Sequence, residues 1–182
     1  MTDLTFLNLV YTRISHDLSN LAGALYNGTE LLAEDPLAVK ETGSLLTQSA
    51  TALMSRLQFF RQTFGTPFES AEDKTAFYLA TLSVPIEWHD CCENALERAI
   101  VMTLADQLIR GGRIFKAEQT IWATGERLKE NERLADRLAG DGTNAGADEA
   151  PALMAAYLAE ADGKKLTYLQ NNDKLGIKIE NR

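Results

Sequence analysis

Residues 13–32 read RISHDLSNLAGALYNGTELL, and this stretch has the apolar period of an amphipathic helix. Apolar side chains recur at alternating steps of four and three residues, and only Gly28 interrupts them. The series is Leu7, Tyr11, Ile14, Leu18, Leu21, Leu25 and Leu32. Such a stripe is typical of a helix that packs in a bundle. His16 lies two residues from both Ile14 and Leu18, so it points roughly 160–200° away from the stripe, which predicts a solvent-exposed histidine.

An exposed imidazole on a rigid helix can act as a nucleophile, and phosphoryl transfer needs little more from a protein than a well-placed nucleophile. We expect four polar residues to share the solvent side with His16, namely Arg13, Asp17, Asn20 and Asn27. Asp17 could hydrogen-bond the imidazole and fix its tautomer, and Asn20 could orient a phosphoryl oxygen or a water molecule. The alternative interpretation is a surface histidine without a role.

The string from His16 onward resembles the phosphoacceptor region of the ChpT-type histidine phosphotransferases of bacterial phosphorelays. In that family His-Asp-Leu is followed by a small polar residue, Pro, Val, Gly-Ala, Asn-Gly and Glu-Leu-Leu. The residues in register with this pattern are Gly23, Ala24, Asn27, Gly28, Glu30, Leu31 and Leu32. His16, Asp17 and Asn20 also resemble the phosphoacceptor box of histidine kinases. Residues 56–65, RLQFFRQTFG, are similar to the end of the second helix in ChpT-type proteins.

The chain departs from the family at Leu21, where the family and most kinases carry proline. The substitution removes a helix kink below the histidine. The resemblance implies a homodimer in which His16 is the nucleophile, assisted by Asp17 and Asn20. It also implies that receiver domains of response regulators or hybrid histidine kinases dock beside it and supply Mg²⁺, so this chain needs no cofactor or metal. We expect the receiver to contact Arg13, Ser19, Gly23, Ala24 and Asn27.

The first 65 residues predict two long antiparallel helices. The first should span about residues 3–33, and residues 34–36, Glu-Asp-Pro, separate it from the second. The apolar positions of the second helix are Val39, Gly43, Leu46, Ala50, Leu53, Leu57, Phe60 and Phe64. We assign Phe60 and Phe64 to packing. Because a two-helix hairpin has little interior, we expect two chains to form a four-helix bundle.

Residues 66–182 predict an α+β unit in which helices cover a small sheet. The predicted helices are 70–82, 90–110, 129–139 and 150–161, and the predicted strands are 84–88, 113–118, 120–124, 165–170 and 175–180. Ser70 and Asp90 are the expected helix N-caps. The ChpT resemblance implies that this unit is similar to a kinase ATP-binding domain that has lost its nucleotide site. The predicted division is therefore a phosphotransfer and dimerisation hairpin, 1–65, followed by this unit, 66–182.

Composition excludes several classes of partner. The chain has 182 residues and a net charge of −8, and no basic face suggests a nucleic acid or an anionic membrane. Adjacent Cys91 and Cys92 could form only a strained disulfide, so we expect free thiols and a reducing compartment. We find neither a signal-peptide pattern nor an apolar run of roughly 20 residues. These observations predict a cytoplasmic protein.

Three further motifs have weaker interpretations. The pair His89-Asp90 follows a predicted strand, where Asp90 fits better as a helix cap. The cluster 89–93 has metal-ligand residue types but no second Cys or His pair to complete a site. The glycine-rich segment 140–146, GDGTNAG, follows a helix instead of a strand and is not joined by any Gly-Lys-Ser/Thr motif, so we interpret it as a flexible linker.

The leading hypothesis is a histidine phosphotransferase that relays a phosphoryl group between receiver aspartates through His16. One alternative is an ATP-dependent histidine kinase, which would need asparagine and glycine boxes that the sequence does not show. The other alternative is a non-catalytic dimeric scaffold that binds a kinase or a receiver domain.

Overall fold

The fold consists of a long helical hairpin followed by a mixed sheet with helices. The computed structural model describes residues 3–35, 37, 39–65, 72–129, 131–171 and 173–182. The helices are α1 (Asp3–Glu34), α2 (Val39–Phe64), α3 (Thr75–Leu79), α4 (Ala95–Ala105), α5 (Leu134–Leu138) and α6 (Ala150–Ala161), and a 3₁₀ turn (Ala147–Glu149) precedes α6. The strands are β1 (Ile86–Trp88), β2 (Gly112–Ala117), β3 (Thr120–Thr124), β4 (Lys164–Asn171) and β5 (Lys174–Asn181). The α+β class is confirmed.

Helices α1 and α2 form the predicted hairpin. Directly after α1, Asp35 Oδ1 accepts a hydrogen bond of 2.9 Å from Leu37 N. Gly28 interrupts the apolar stripe because a Cβ at this position would lie 2.7 Å from Leu46 Cδ2. The glycine therefore lets α2 approach α1 closely.

The sheet has the order β1-β2-β3-β5-β4. Only the β1–β2 pair is parallel among the described strands; the other three pairs are antiparallel. The β2–β3 hairpin turns through Glu118, which has a φ of 55°. α4 and α6 pack on this sheet, and α4 is apolar almost all round, as expected for a helix at the centre of a core.

Several predicted boundaries in the α/β unit are wrong. Helix α4 begins later than residue 90, because its N-cap is Asn94, whose side chain accepts from Glu97 N at 2.9 Å. Asp90 instead accepts a hydrogen bond of 2.9 Å from Lys116 N of β2. The helix predicted over 129–139 is confined to Leu134–Leu138. Ser70, the other predicted cap, lies outside the described residues.

One hydrophobic core joins the hairpin to the α/β unit. Phe59 is fully buried and stacks on the ring of Tyr78 with centroids 4.0 Å apart. Phe6 of α1 is buried and stacks on Tyr157 of α6 at 5.5 Å. Phe60 also belongs to this core, which confirms its packing role. The division at residue 65 stays a prediction about chain organisation, and the two units share a continuous interior.

The outer half of the hairpin has almost no interior of its own. Of the described residues from 18 to 54, Thr42 alone is buried. On the inner half, Leu7 and Tyr11 of the predicted stripe are 59% and 72% exposed. Their neighbours Phe6 and Val10 are the buried residues. Leu7 and Tyr11 of the apolar stripe are therefore uncovered in a single chain, whereas Ile14 and Leu18 of the same stripe pack against the core.

Candidate functional site

His16 lies on the solvent side of α1, with 71% of its side chain exposed. Its Nδ1 is 3.5 Å from Oδ1 of Asp17. Helix α1 is continuous across Leu21, the position of the missing proline. The histidine is thus held on an unbroken helix with one ring nitrogen beside a carboxylate.

The structure places Asp17 and Arg13 differently from the sequence prediction. Asp17 is buried, with 8% of the residue exposed, and 15% of the Arg13 side chain is exposed. Arg13 Nε donates a hydrogen bond of 3.2 Å to Asp17 Oδ2. The prediction that both side chains lie on the solvent-exposed side of α1 with His16 is wrong, because both point towards the α/β unit.

The reason for this orientation is Asp106, which follows α4. Arg13 Nη2 donates a hydrogen bond of 2.9 Å to Asp106 Oδ1 across 93 positions in sequence. The contacts in order are therefore His16–Asp17–Arg13–Asp106, and we call these four residues the His16–Asp106 chain. Asp106 ties the candidate nucleophile to the α/β unit.

The electrostatics of the His16–Asp106 chain are those of a partly dehydrated ion cluster. Burial raises the pKa of the Asp106 carboxyl, and the lowering effect of Arg13 does not cancel this. Burial lowers the pKa of the Arg13 guanidinium, but the carboxylates of Asp106 and Asp17 outweigh it and the net pKa is raised. Burial also raises the pKa of the nearby Tyr78 hydroxyl, and Asp106 adds to this effect. Arg13 is therefore a permanent cation at this site.

The other predicted site residues form one exposed surface on α1. Ser19, Asn20, Gly23, Ala24 and Asn27 are all exposed. A Cβ added at Gly23 would meet nothing within 4 Å. We call this surface, together with His16, the small-residue face. It leaves room for another protein to approach the histidine closely.

The second His-Asp pair is not arranged like the first. His89 and Cys91 are exposed, whereas Cys92 is buried. Asp90 bonds the backbone of β2, as described above. Burial raises the pKa of the Cys92 thiol to about 12, so this thiol stays protonated at neutral pH. Both cysteines are free thiols.

The glycine-rich segment 140–146 is more ordered than the linker we predicted. Arg137 is 1% exposed and donates to Glu149 Oε1 from Nε at 3.0 Å and to the Asp141 carbonyl from Nη1 at 2.6 Å. Glu149 Oε2 in turn accepts from Gly146 N at 3.0 Å. The linker interpretation is wrong for this reason: a buried arginine closes the segment at both ends.

Sequence reasoning missed Asp106, although a signal was present. Residues 99–108, AIVMTLADQL, contain no other charged residue. A lone acid at the end of an apolar helix predicts a buried partner, but the sequence does not say that the partner is Arg13.

Comparisons with known proteins identify the fold. No family model matches this chain, and no curated protein matches it. A solved structure described as a bacterial phosphotransferase superposes with a TM-score of 0.79 at 22% sequence identity. The match covers 99% of this chain and 98% of that one. The hairpin and the α/β unit therefore occur together in a known fold.

The hairpin helices α1 and α2 contain 32 and 26 residues. Among the residues that the structure describes, every helix is either too short or too polar to span a bilayer.

Proposed function

We propose that this protein is a homodimeric histidine phosphotransferase that relays a phosphoryl group between receiver-domain aspartates. The observation that carries the proposal is the exposed His16 with Nδ1 beside the Asp17 carboxylate. The phosphotransferase description of the structural neighbour supports the same class of chemistry.

The proposed chemistry uses Nε2 of His16 as the nucleophile. With the proton on Nδ1 and directed at Asp17, the lone pair of Nε2 attacks the phosphorus of an aspartyl phosphate. The new P–N bond forms as the P–O bond to the receiver carboxylate breaks, and the carboxylate leaves with that electron pair. The phosphorylated ring gains positive charge, which the carboxylate of Asp17 stabilises. Transfer to a second receiver is the reverse reaction.

The small-residue face is the proposed docking surface for the receiver. Its side chains are short and exposed, so a receiver helix can bring its aspartate close to Nε2. Asn20 is exposed and lies one helical turn beyond His16, and its proposed role is to orient a phosphoryl oxygen. The receiver supplies Mg²⁺, as the ChpT resemblance implies.

The proposed dimer is a four-helix bundle of two hairpins. The uncovered large side chains of α1 and α2 support it: Leu4, Leu7, Tyr11, Tyr26, Leu31, Val39, Leu45, Met54 and Leu57. Clusters of exposed apolar side chains are typical of interaction surfaces. A second copy of the hairpin offers a self-complementary cover for it.

The α/β unit is proposed to bind no nucleotide, as a degenerate counterpart of a kinase ATP-binding domain. The end of α4 is covered by the segment after β3, because Lys129 N donates to the Gln107 carbonyl at 2.7 Å and Ile109 N donates to the Arg127 carbonyl at 3.1 Å. The sequence shows no asparagine and glycine boxes of the kind that an ATP-dependent kinase needs, and this favours a phosphotransferase.

The test compares two phosphoryl donors. Wild-type protein, His16→Gln and His89→Gln are incubated with radiolabelled Mg-ATP alone or with a radiolabelled phospho-receiver. We expect label from the receiver in wild type and His89→Gln, and none from ATP. Label from ATP alone would favour the kinase. Receiver binding without any transfer, in a survey of receivers, would favour the scaffold.

A further inference from the structure

We infer that Asp106 is a positioning residue for the phosphoacceptor: it fixes Arg13, which fixes Asp17, which fixes the imidazole of His16. This inference rests on the proposed function. It gives the α/β unit a direct part in the transfer reaction, although that unit lies outside the small-residue face.

The geometry of Arg13 is the first step. An arginine–aspartate pair four residues apart on a helix contributes little to stability when it is exposed, and it does not hold one geometry. Asp106 takes Nη2 of the guanidinium at 2.9 Å, which leaves Nε directed at Asp17 at 3.2 Å. A planar guanidinium can bind two carboxylates in this way, whereas a lysine ammonium has no fixed fork.

The geometry of Asp17 is the second step. Arg13 occupies Oδ2, and the other oxygen, Oδ1, lies 3.5 Å from His16 Nδ1. A carboxylate fixed in this way favours the Nδ1–H tautomer of the imidazole. That tautomer keeps the lone pair on Nε2, the nitrogen that must attack phosphorus.

The His16–Asp106 chain carries a free-energy cost, because it includes buried polar groups. Asp106 Oδ2 and the Tyr78 hydroxyl are buried, and neither has a hydrogen-bond partner among the described residues. Buried ionic groups contribute little to stability compared with apolar residues of the same volume. The free-energy cost of the His16–Asp106 chain is therefore better explained by a role in positioning His16 than by a contribution to the stability of the fold.

The test is a double-mutant cycle on the rate of transfer. Single-turnover transfer from a phosphorylated receiver is measured over a range of receiver concentrations for wild type, Asp106→Asn, Asp17→Asn and the double variant. Asp136→Asn, on the exposed face of α5, is the matched control. We expect Asp106→Asn to lower the saturating rate on the order of 10-fold with an unchanged half-saturation concentration. In the Asp17→Asn background it should cause no further loss.

The same factor of loss in both backgrounds, or an effect confined to half-saturation, would overturn the inference. A spectroscopic readout separates it from the proposed function, because it needs no phosphoryl donor. The chain has two histidines, so ¹⁵N NMR of the imidazoles resolves His16 once His89→Gln identifies the other ring. We expect mainly Nδ1–H in wild type and a mixture of tautomers in Asp106→Asn.

The two experiments distinguish failure of the proposed function from failure of the positioning role of Asp106. If wild type accepts no label from any receiver, the proposed function fails and the NMR result still decides the positioning role. If wild type is labelled and Asp106→Asn matches it in rate and tautomer, the function stands and the positioning role is wrong.

Discussion

Arg137 and Glu149 form a buried ion pair that orders residues 140–146, the segment whose glycine-rich composition predicts a linker. The arginine side chain is 2% exposed and the glutamate side chain 13% exposed. Burial raises the pKa of Glu149, but the hydrogen bonds from Arg137 and from Gly146 N outweigh it, and the net pKa is lowered. A carboxylate with a lowered folded-state pKa stabilises the fold above its unfolded pKa, and this contribution is lost as pH falls through the folded value.

We therefore predict a pH-dependent effect of Glu149→Gln. At neutral pH the substitution should destabilise the protein by about 3 kcal/mol, because it leaves a buried guanidinium without its counter-ion. The stability gap from wild type should shrink as the pH falls below the ordinary glutamate pKa of about 4.3 and on through the lower folded-state pKa of Glu149. Urea unfolding across this range measures it, with Glu132→Gln at an exposed position as the control. A gap that stays constant or widens on acidification would contradict the assigned ion pair.

Among the site residues, the sequence predicted the candidate nucleophile, His16, but not the contacts that connect it to Arg13 and Asp106. His16 was predictable as exposed because helical period alone sets its direction. The burial of Arg13 and Asp17 was not, because it depends on Asp106, which lies 93 positions away from Arg13. No local pattern encodes a contact over that distance.

Within helix α1, alanine substitutions at Gly23 and Gly28 should have different effects on stability. Gly23 lies in the helix interior with open space around an added Cβ, whereas at Gly28 the Cβ would lie 2.7 Å from Leu46 Cδ2. Gly23→Ala should stabilise the protein by roughly 0.5–1 kcal/mol, because alanine loses less backbone entropy in a helix. Gly28→Ala should give no such gain, because Leu46 must move.

Thermal unfolding of the two single variants measures this contrast. The pair is matched, since both substitutions add one methyl group to the same helix. An equal gain for the two variants would contradict the close approach of α1 and α2 at Gly28.

Elements with a strong period were predictable, and short elements fixed by tertiary contacts were not. α1 was expected over 3–33 and spans Asp3–Glu34, and β3 has the predicted bounds, Thr120–Thr124. The start of α4 was misplaced because Asp90 and Asn94 are both good caps, and only the β2 contact of Asp90 decides between them. α5 was overestimated because Lys129, Glu132 and Arg133 have helix propensity but are exposed and do not pack on the core.

For the whole molecule, the question is what covers the hairpin. Burying a large apolar side chain is worth about 1.5–3 kcal/mol relative to exposure, so the exposed apolar side chains of the hairpin favour association. We predict that Leu7→Glu, at a position 59% exposed in one chain, converts the protein to a monomer. Thr12→Glu, on an exposed position outside the stripe, should stay dimeric.

Multi-angle light scattering gives the mass of each variant. A wild-type mass of 20.1 kDa at micromolar concentration, or a dimer that survives Leu7→Glu, would contradict the four-helix bundle. The deeper substitution Leu53→Glu should instead yield aggregated or unfolded protein, because it places a carboxylate in the half-buried helix interface.

If phosphoryl groups pass through His16, the residue that carries the phosphoryl group can be identified chemically. Wild-type protein is incubated with a phosphorylated receiver, and the modified residue is identified by mass spectrometry under alkaline conditions that preserve phosphohistidine. We expect an acid-labile phosphoryl group on His16 that disappears when an unphosphorylated receiver is added. A phosphoryl group on His89, or unmodified His16 with every receiver that binds, would contradict it.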